Sequence, residues 1–212
     1  ASVKEMLPSS LHFIGYTLGN LISIQGATIV IGAVLGPAAV ALTSTARTLV
    51  RTGIAVSNML GNTLQIEYAA MFGRSAFDKF RQLFQLHALA IAALIATYLA
   101  AMLWLGPPVY EVWTHGEFGT PRLLISVLAV GIACEMAWTA LQTPSIAVNR
   151  MRITGRAFFV VSCLGLVALG LLAPTFGVIA FGWVSLAVSS VMIITAALET
   201  RILTRSLAPQ TA

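Results

Sequence analysis

Residues 24–51 read IQGATIVIGAVLGPAAVALTSTARTLVR. An apolar run ends at Gly36-Pro37, a second begins at once, and Arg47 and Arg51 sit one helical turn apart inside it. From Met6 to Ala46 there is no Asp, Glu, Lys or Arg. About 20 apolar residues cross the ~30 Å hydrocarbon layer as a helix, so this region supplies two crossings. Pro37 suits the first turn of the second helix, where its missing N–H has no intrahelical partner to lose.

The rest of the chain has the same character. Of 212 residues 58% are hydrophobic and 9% charged, and the mean hydropathy is +0.91. Soluble domains carry roughly 25% charged residues. The deficit runs along the whole length, which predicts an all-α membrane protein of one domain, 1–212. Six spans are expected at about 10–35, 38–70, 83–105, 123–148, 157–172 and 178–203. Gly106-Pro107-Pro108 is expected to stop the third, Pro144 to kink the fourth and Pro174 to end the fifth. The opening residues, ASVKEMLPSS, are expected to lie inside a longer protein.

The connections alternate in charge. Lys4, then Arg74, Lys79 and Arg81, then Arg150, Arg152 and Arg156, then Arg201 and Arg205 fall on one side. Gly36-Pro37, then Glu111, Glu117 and Arg122, then residues 174–177 fall on the other. The positive-inside rule places both termini in the cytoplasm. The net charge of +5 belongs to this pattern and to contact with anionic lipid, and is no nucleic-acid signal. Cys134 and Cys163 lie in apolar segments and are read as packing residues. His12, His87 and His115 show no ligand spacing, so neither a metal nor another cofactor is expected.

The second span carries a polar stripe. Arg47, Arg51, Asn58, Asn62 and Gln65, preceded by Thr43, recur at spacings that share one helical face. An arginine at mid-bilayer costs about 2.5–3.5 kcal/mol on insertion scales. Arg51 lies about 20 Å along the helix from Pro37, too far to reach that surface easily. The stripe is expected to line a water-filled cavity. The alternative is that Arg47 or Arg51 pairs with Glu135 of span four as structural glue. Glu135, with Trp138, Thr139 and Gln142 on its face, reads as a counter-ion, a proton carrier or a packing residue. His12, Asn20 and Gln25 in span one are further cavity candidates, or else helix–helix hydrogen-bonding groups. Glu67 and Glu199 are read as solvated.

Catalytic patterns do not occur. There is no Gly-rich phosphate loop, no H-E-x-x-H and no G-x-S-x-G. Asp78 is the one Asp, so a carboxylate-rich metal site for prenyl-diphosphate chemistry is not available.

Ile24 to Leu42 resembles the start of the second lobe of polysaccharide flippases in the multidrug/oligosaccharidyl-lipid/polysaccharide exporter superfamily. There an apolar helix ending "IG..LGP..VA" precedes a cavity-lining helix with an "AR.L.R" segment, here Ala46 to Arg51. Phe72 to Phe80 resembles the cytoplasmic link to the third helix. Val112 to Gly116 resembles the outer "iWT.G" segment, and Ala147 to Arg150 the "A.N" loop. Pro174 to Ala180 resembles the "P.fG..G.A" entry to the last helix. Two departures are Gln65-Ile66-Glu67, where many relatives have a Pro, and Ala180, where a second Gly is usual.

The resemblance implies one six-helix lobe of a two-lobe, alternating-access transporter in a bacterial inner membrane, with both ends cytoplasmic. It also implies a missing N-terminal lobe or a second copy as partner. Arg47 and Arg51 would bind the head group of a lipid-linked anionic glycan, and Asn58, Asn62 and Gln65 would line its path. The expected function is export of a lipid-linked oligosaccharide or polysaccharide precursor, without enzymatic activity. A cation-coupled multidrug exporter of the same superfamily is the alternative, although drug cations favour carboxylates over arginines. A membrane-embedded glycan enzyme acting on polyprenyl phosphates is a third reading. It would have to draw its acids and bases from Asp78, Glu111, His115 and Glu117.

Overall fold

The computed structural model describes residues 14–206, the side chains of residues 205–206 excepted. Lys4, His12, residues 10–13 of the first expected span and the Arg205 side chain lie outside the described residues. Those described are helices and short turns, with no strand among them. α1 is Ile14–Leu35 and contains a π-helical turn at Ile22–Gly26. α2 is Pro37–Val50, α3 Thr52–Gly73, α4 Phe77–Trp113, α5 Arg122–Ala147, α6 Arg152–Phe176 and α7 Ile179–Ser206. Five of them, α1, α4, α5, α6 and α7, are long and apolar enough to cross a membrane. The chain is thus an all-α protein of the multi-pass membrane class.

The single span expected over 38–70 is two helices that abut at Arg51, whose backbone (φ −71°, ψ −8°) caps one and opens the other. Tyr98 of α4 fixes this break. Its hydroxyl donates to Val50 O at 2.8 Å, and its ring lies on Gly53, where a Cβ would stand 2.5 Å from ring carbons. Thr52 Oγ1 donates to Leu49 O at 3.0 Å on the same turn.

Prolines do not end the helices as expected. α4 runs on through Pro107 and Pro108 to Trp113, and α6 runs from Arg152 through Pro174 to Phe176. A proline removes one N–H and crowds the preceding turn, but packing on the next helix outweighs this in α4. Gly106 and Pro107 are buried, and Tyr110, fully buried, donates its hydroxyl to Leu42 O at 3.4 Å. α6 stops at Gly177, which takes φ +63° and returns its N–H to Ala173 O at 2.9 Å. α5 likewise passes through Pro144 to Ala147.

α5 is the centre of the bundle. It packs against α7, α3, α4 and α2, and buries Ile125, Leu128, Ala129, Ile132 and Met136 among them. α1 is held by α2 and α6, and α6 by α7. At one end Tyr68, Phe80 and Leu203 cluster with Ala147 and Val148, and Arg150 lies 5.7 Å over the Phe72 ring. The basic connections after α3 and α5 and the end of α7 therefore meet at one end. Large apolar side chains such as Ile29, Met59, Leu89, Trp104, Leu171 and Ile194 are exposed around the bundle, a surface suited to lipid and not to water.

Glu199 is not solvated. It is buried in α7 and accepts the N–H groups of Ile153 (3.0 Å) and Thr154 (3.1 Å) together with the Thr154 hydroxyl. A carboxylate at the first turn of α6 satisfies N–H groups that have no helical partner and suits the positive end of the helix dipole. Glu67 is exposed, as expected.

α1 and α6 meet backbone to backbone through Gly15 and Gly19, a small-xxx-small pair. A Cβ at Gly15 would stand 3.1 Å from Gly155 O, and one at Gly19 2.9 Å from the Phe158 ring and 3.1 Å from Phe159 N. Gly19→Leu is expected to force α1 off α6 and to cost about 1–3 kcal/mol by overpacking. A fall in the thermal unfolding midpoint of purified protein in detergent, larger than that of Leu18→Ala on the exposed face, is the check.

Candidate functional site

α2 delivers Arg47 and Arg51 to a cleft walled by α1, α5, α6 and α7. Asn20, Ile24, Glu135, Trp138, Ser162 and Ser189 also line it, and it encloses about 780 Å³, its open side included. Arg47 is half-buried and donates through Nη1 to Ile24 O at 3.1 Å and to Thr28 Oγ1 at 3.4 Å. Ile24 lies in the π-helical turn, and its carbonyl also accepts the Thr28 hydroxyl at 2.9 Å and the Ala27 N–H. A π turn offsets the regular i→i−4 ladder, and here one of its carbonyls carries a guanidinium from the next helix.

Arg51 stands at the helix break, facing Glu135 of α5 with Nη1 3.7 Å from Oε1. The ion pair weighed as an alternative to a polar cavity is thus formed, and both its members line the cleft. The separation exceeds hydrogen-bond range, so the attraction is Coulombic and without fixed direction. With side chains 33% and 22% exposed, the pair faces the cleft and is not sealed in the core. A guanidinium so placed keeps donors that an oxyanion can use.

The rest of the stripe is elsewhere. Asn58, Asn62 and Gln65 line a second cleft of about 870 Å³, its open side included, between α3 and α5, with Tyr16, Ser57, Thr139, Gln142 and Thr143. Among the described residues no charged side chain lines it. Thr43 joins neither cleft: it is buried and returns its hydroxyl to Ala39 O at 2.7 Å and Val40 O at 3.2 Å. Asn20 lines the Arg cleft, whereas Gln25 is exposed and lines neither.

Three aromatic rings stand between the clefts. Tyr16, which lines the second, packs edge-on against Trp138 (6.1 Å) and tilted against Phe158 (5.3 Å), and these two line the first. Trp138 and Phe158 are themselves 5.3 Å apart. Tyr16 and Phe158 escape a reading based on polar residues because their part is to fill space. Thr143, by contrast, extends the face of Glu135 and Thr139 by one further turn. Cys134 and Cys163 are unpaired and partly buried. Among the described residues no three His, Cys, Asp or Glu side chains gather as a metal site would require.

Comparison with protein-family models, curated proteins and solved structures finds no match for this chain.

If the Arg51–Glu135 attraction balances two partly buried charges, removing either alone leaves the other uncompensated. Arg51→Gln and Glu135→Gln are each expected to destabilise by about 1–3 kcal/mol, and the double variant by less than their sum. A double-mutant cycle of unfolding free energies in detergent measures the coupling; additive effects would show that the charges do not support one another.

Proposed function

We propose that the chain is one six-span lobe of a transporter that carries a lipid-linked anionic glycan precursor across a bacterial inner membrane. The sixth crossing is the α2–α3 pair, broken at Arg51, and both ends of the chain are cytoplasmic. The basic connections gathered at one end support this orientation. A second lobe, or a second copy of the chain, faces the two clefts and completes the path. Substrate crosses as the lobes rock about it.

The observation that carries the reading is the pairing of two guanidinium groups with an open cleft at the end of a 14-residue helix. Arg47 is anchored on a backbone carbonyl, and among the described residues Arg51 is held only by a 3.7 Å attraction. Arg presents a planar fork of donors that matches two oxygens of a phosphate at once. A pyrophosphate entering the cleft gains both cations and can take Arg51 from Glu135. Glu135 in the same cleft favours a second reading, a cation-coupled exporter in which that carboxylate carries the driving ion or proton.

Arg51→Ala and Arg51→Glu, made in the protein as encoded in its own host, are expected to lower surface polysaccharide at least tenfold at equal protein abundance. Lipid-linked intermediate should accumulate on the cytoplasmic face, more for Glu than for Ala. Unchanged export in both variants would remove the anionic-substrate reading, and loss of cationic-dye efflux in Glu135→Gln alone would favour the exporter.

A further inference from the structure

The second cleft has a chemistry of its own. Gln142 lines it and is 1% exposed, and among the described residues neither its amide oxygen nor its amide nitrogen has a hydrogen-bond partner. Buried amides are almost always satisfied, because leaving both ends unpaired forfeits the hydrogen bonds water would give. An unpaired donor and acceptor on one rigid side chain, beneath a polar cleft, mark a place where a ligand supplies the partners.

The surroundings define the ligand. Asn58, Asn62 and Gln65 add amide groups that both donate and accept, and among the described residues no ionised side chain lines the cleft. Thr139 and Thr143 spend their hydroxyl protons on Glu135 O (2.8 Å) and Thr139 O (3.0 Å). Their lone pairs are left to accept. Tyr16 adds an aromatic ring at the boundary with the Arg cleft. Gly61 keeps the cleft open, since a Cβ there would already stand 3.3 Å from Thr143 Oγ1. Amides, hydroxyls and a ring without net charge suit a neutral group with many hydroxyls, a sugar ring, and supply no charge to pair with an ion.

We propose that the cleft between α3 and α5 is a separate subsite for an uncharged sugar ring, with Gln142 as its buried amide contact. The proposal rests on the glycan-transport reading for the identity of the substrate, and adds that charge and sugar are held at different places on either side of the Tyr16–Trp138–Phe158 partition.

The test uses the purified full chain in lipid nanodiscs with two soluble probes, N,N′-diacetylchitobiose and inorganic pyrophosphate, titrated by saturation-transfer and phosphorus NMR. Gln142→Leu keeps the side-chain volume and removes the amide; Gly61→Val fills the cleft without touching Gln142. Both are expected to weaken disaccharide binding about tenfold or more and to leave pyrophosphate binding unchanged. Arg47→Gln with Arg51→Gln should do the reverse. Absence of disaccharide binding to the unmodified chain, or binding unchanged in Gln142→Leu, would overturn the subsite. If the disaccharide pattern holds while pyrophosphate fails to bind, the sugar subsite stands and the anionic head-group reading falls.

Discussion

Where two helices abut inside a protein, the backbone N–H and C=O groups freed at the junction need partners from the chain around them. In this chain that requirement falls on Arg51, between α2 and α3. Tyr98 reaches from α4 to the Val50 carbonyl, Thr52 turns back on Leu49, and Gly53 leaves room for the Tyr98 ring. α5 provides Glu135 opposite the arginine. Two neighbouring helices, α4 and α5, thus converge on one turn of backbone. A straight, apolar α2–α3 would need none of these contacts.

The two clefts follow from the same break. A continuous helix would carry Arg47, Arg51, Asn58, Asn62 and Gln65 along one face and present them to one cavity. With the helix interrupted at Arg51, the first part packs on α1 and α5 beside one cleft while the second lies along α5 beside the other. Tyr16, Trp138 and Phe158 fill the space between, so the charged and the uncharged groups of the stripe do not share a chamber.

What the sequence discloses here depends on whether a feature is local. The turn at Gly36-Pro37 is legible, since Gly36 takes φ +87° and Pro37 fits a helix start, both intrinsic preferences. The lengths of α5 and α7 follow from apolar runs bounded by charge. Pro107, Pro108 and Pro174 mislead because the cost of a proline in a helix is repaid by packing with residues far away in sequence, such as Tyr110 on Leu42. Several real ends lie at Ser75, Asn149 and His115, non-glycine residues at φ +50° to +56°. Asn149 and His115 are of types that tolerate this region, whereas Ser75 gives little warning. Glu199 misleads in the same manner: its position near a span end suggests water, but the start of α6 meets it across the bundle. Arg47, Arg51 and Glu135 were legible as a group because buried charge in a membrane needs a reason wherever it lies. Which arginine meets Glu135 is a matter of helix geometry that spacing alone does not fix.

α1 and α5 line both clefts, and α1 gives Asn20 and Ile24 to one and Tyr16 to the other. The α1 wall is the less deeply packed of the two. It is tied at two heights by contacts of different kinds. At Gly15 it lies against the Gly155 backbone and at Gly19 against the Phe158 ring and the α6 backbone, contacts that keep their close approach only while the glycines stay in register. Two turns on, Arg47 holds its π-helical turn through the Ile24 carbonyl. A shift of α1 large enough to change the Arg cleft must therefore break the Arg47 bond or carry α2 along with it. The same shift draws Tyr16 off Trp138 and Phe158 and removes the partition between the clefts. The charged and uncharged clefts thus share a helix whose place beside α2 the Arg47 bond helps to hold.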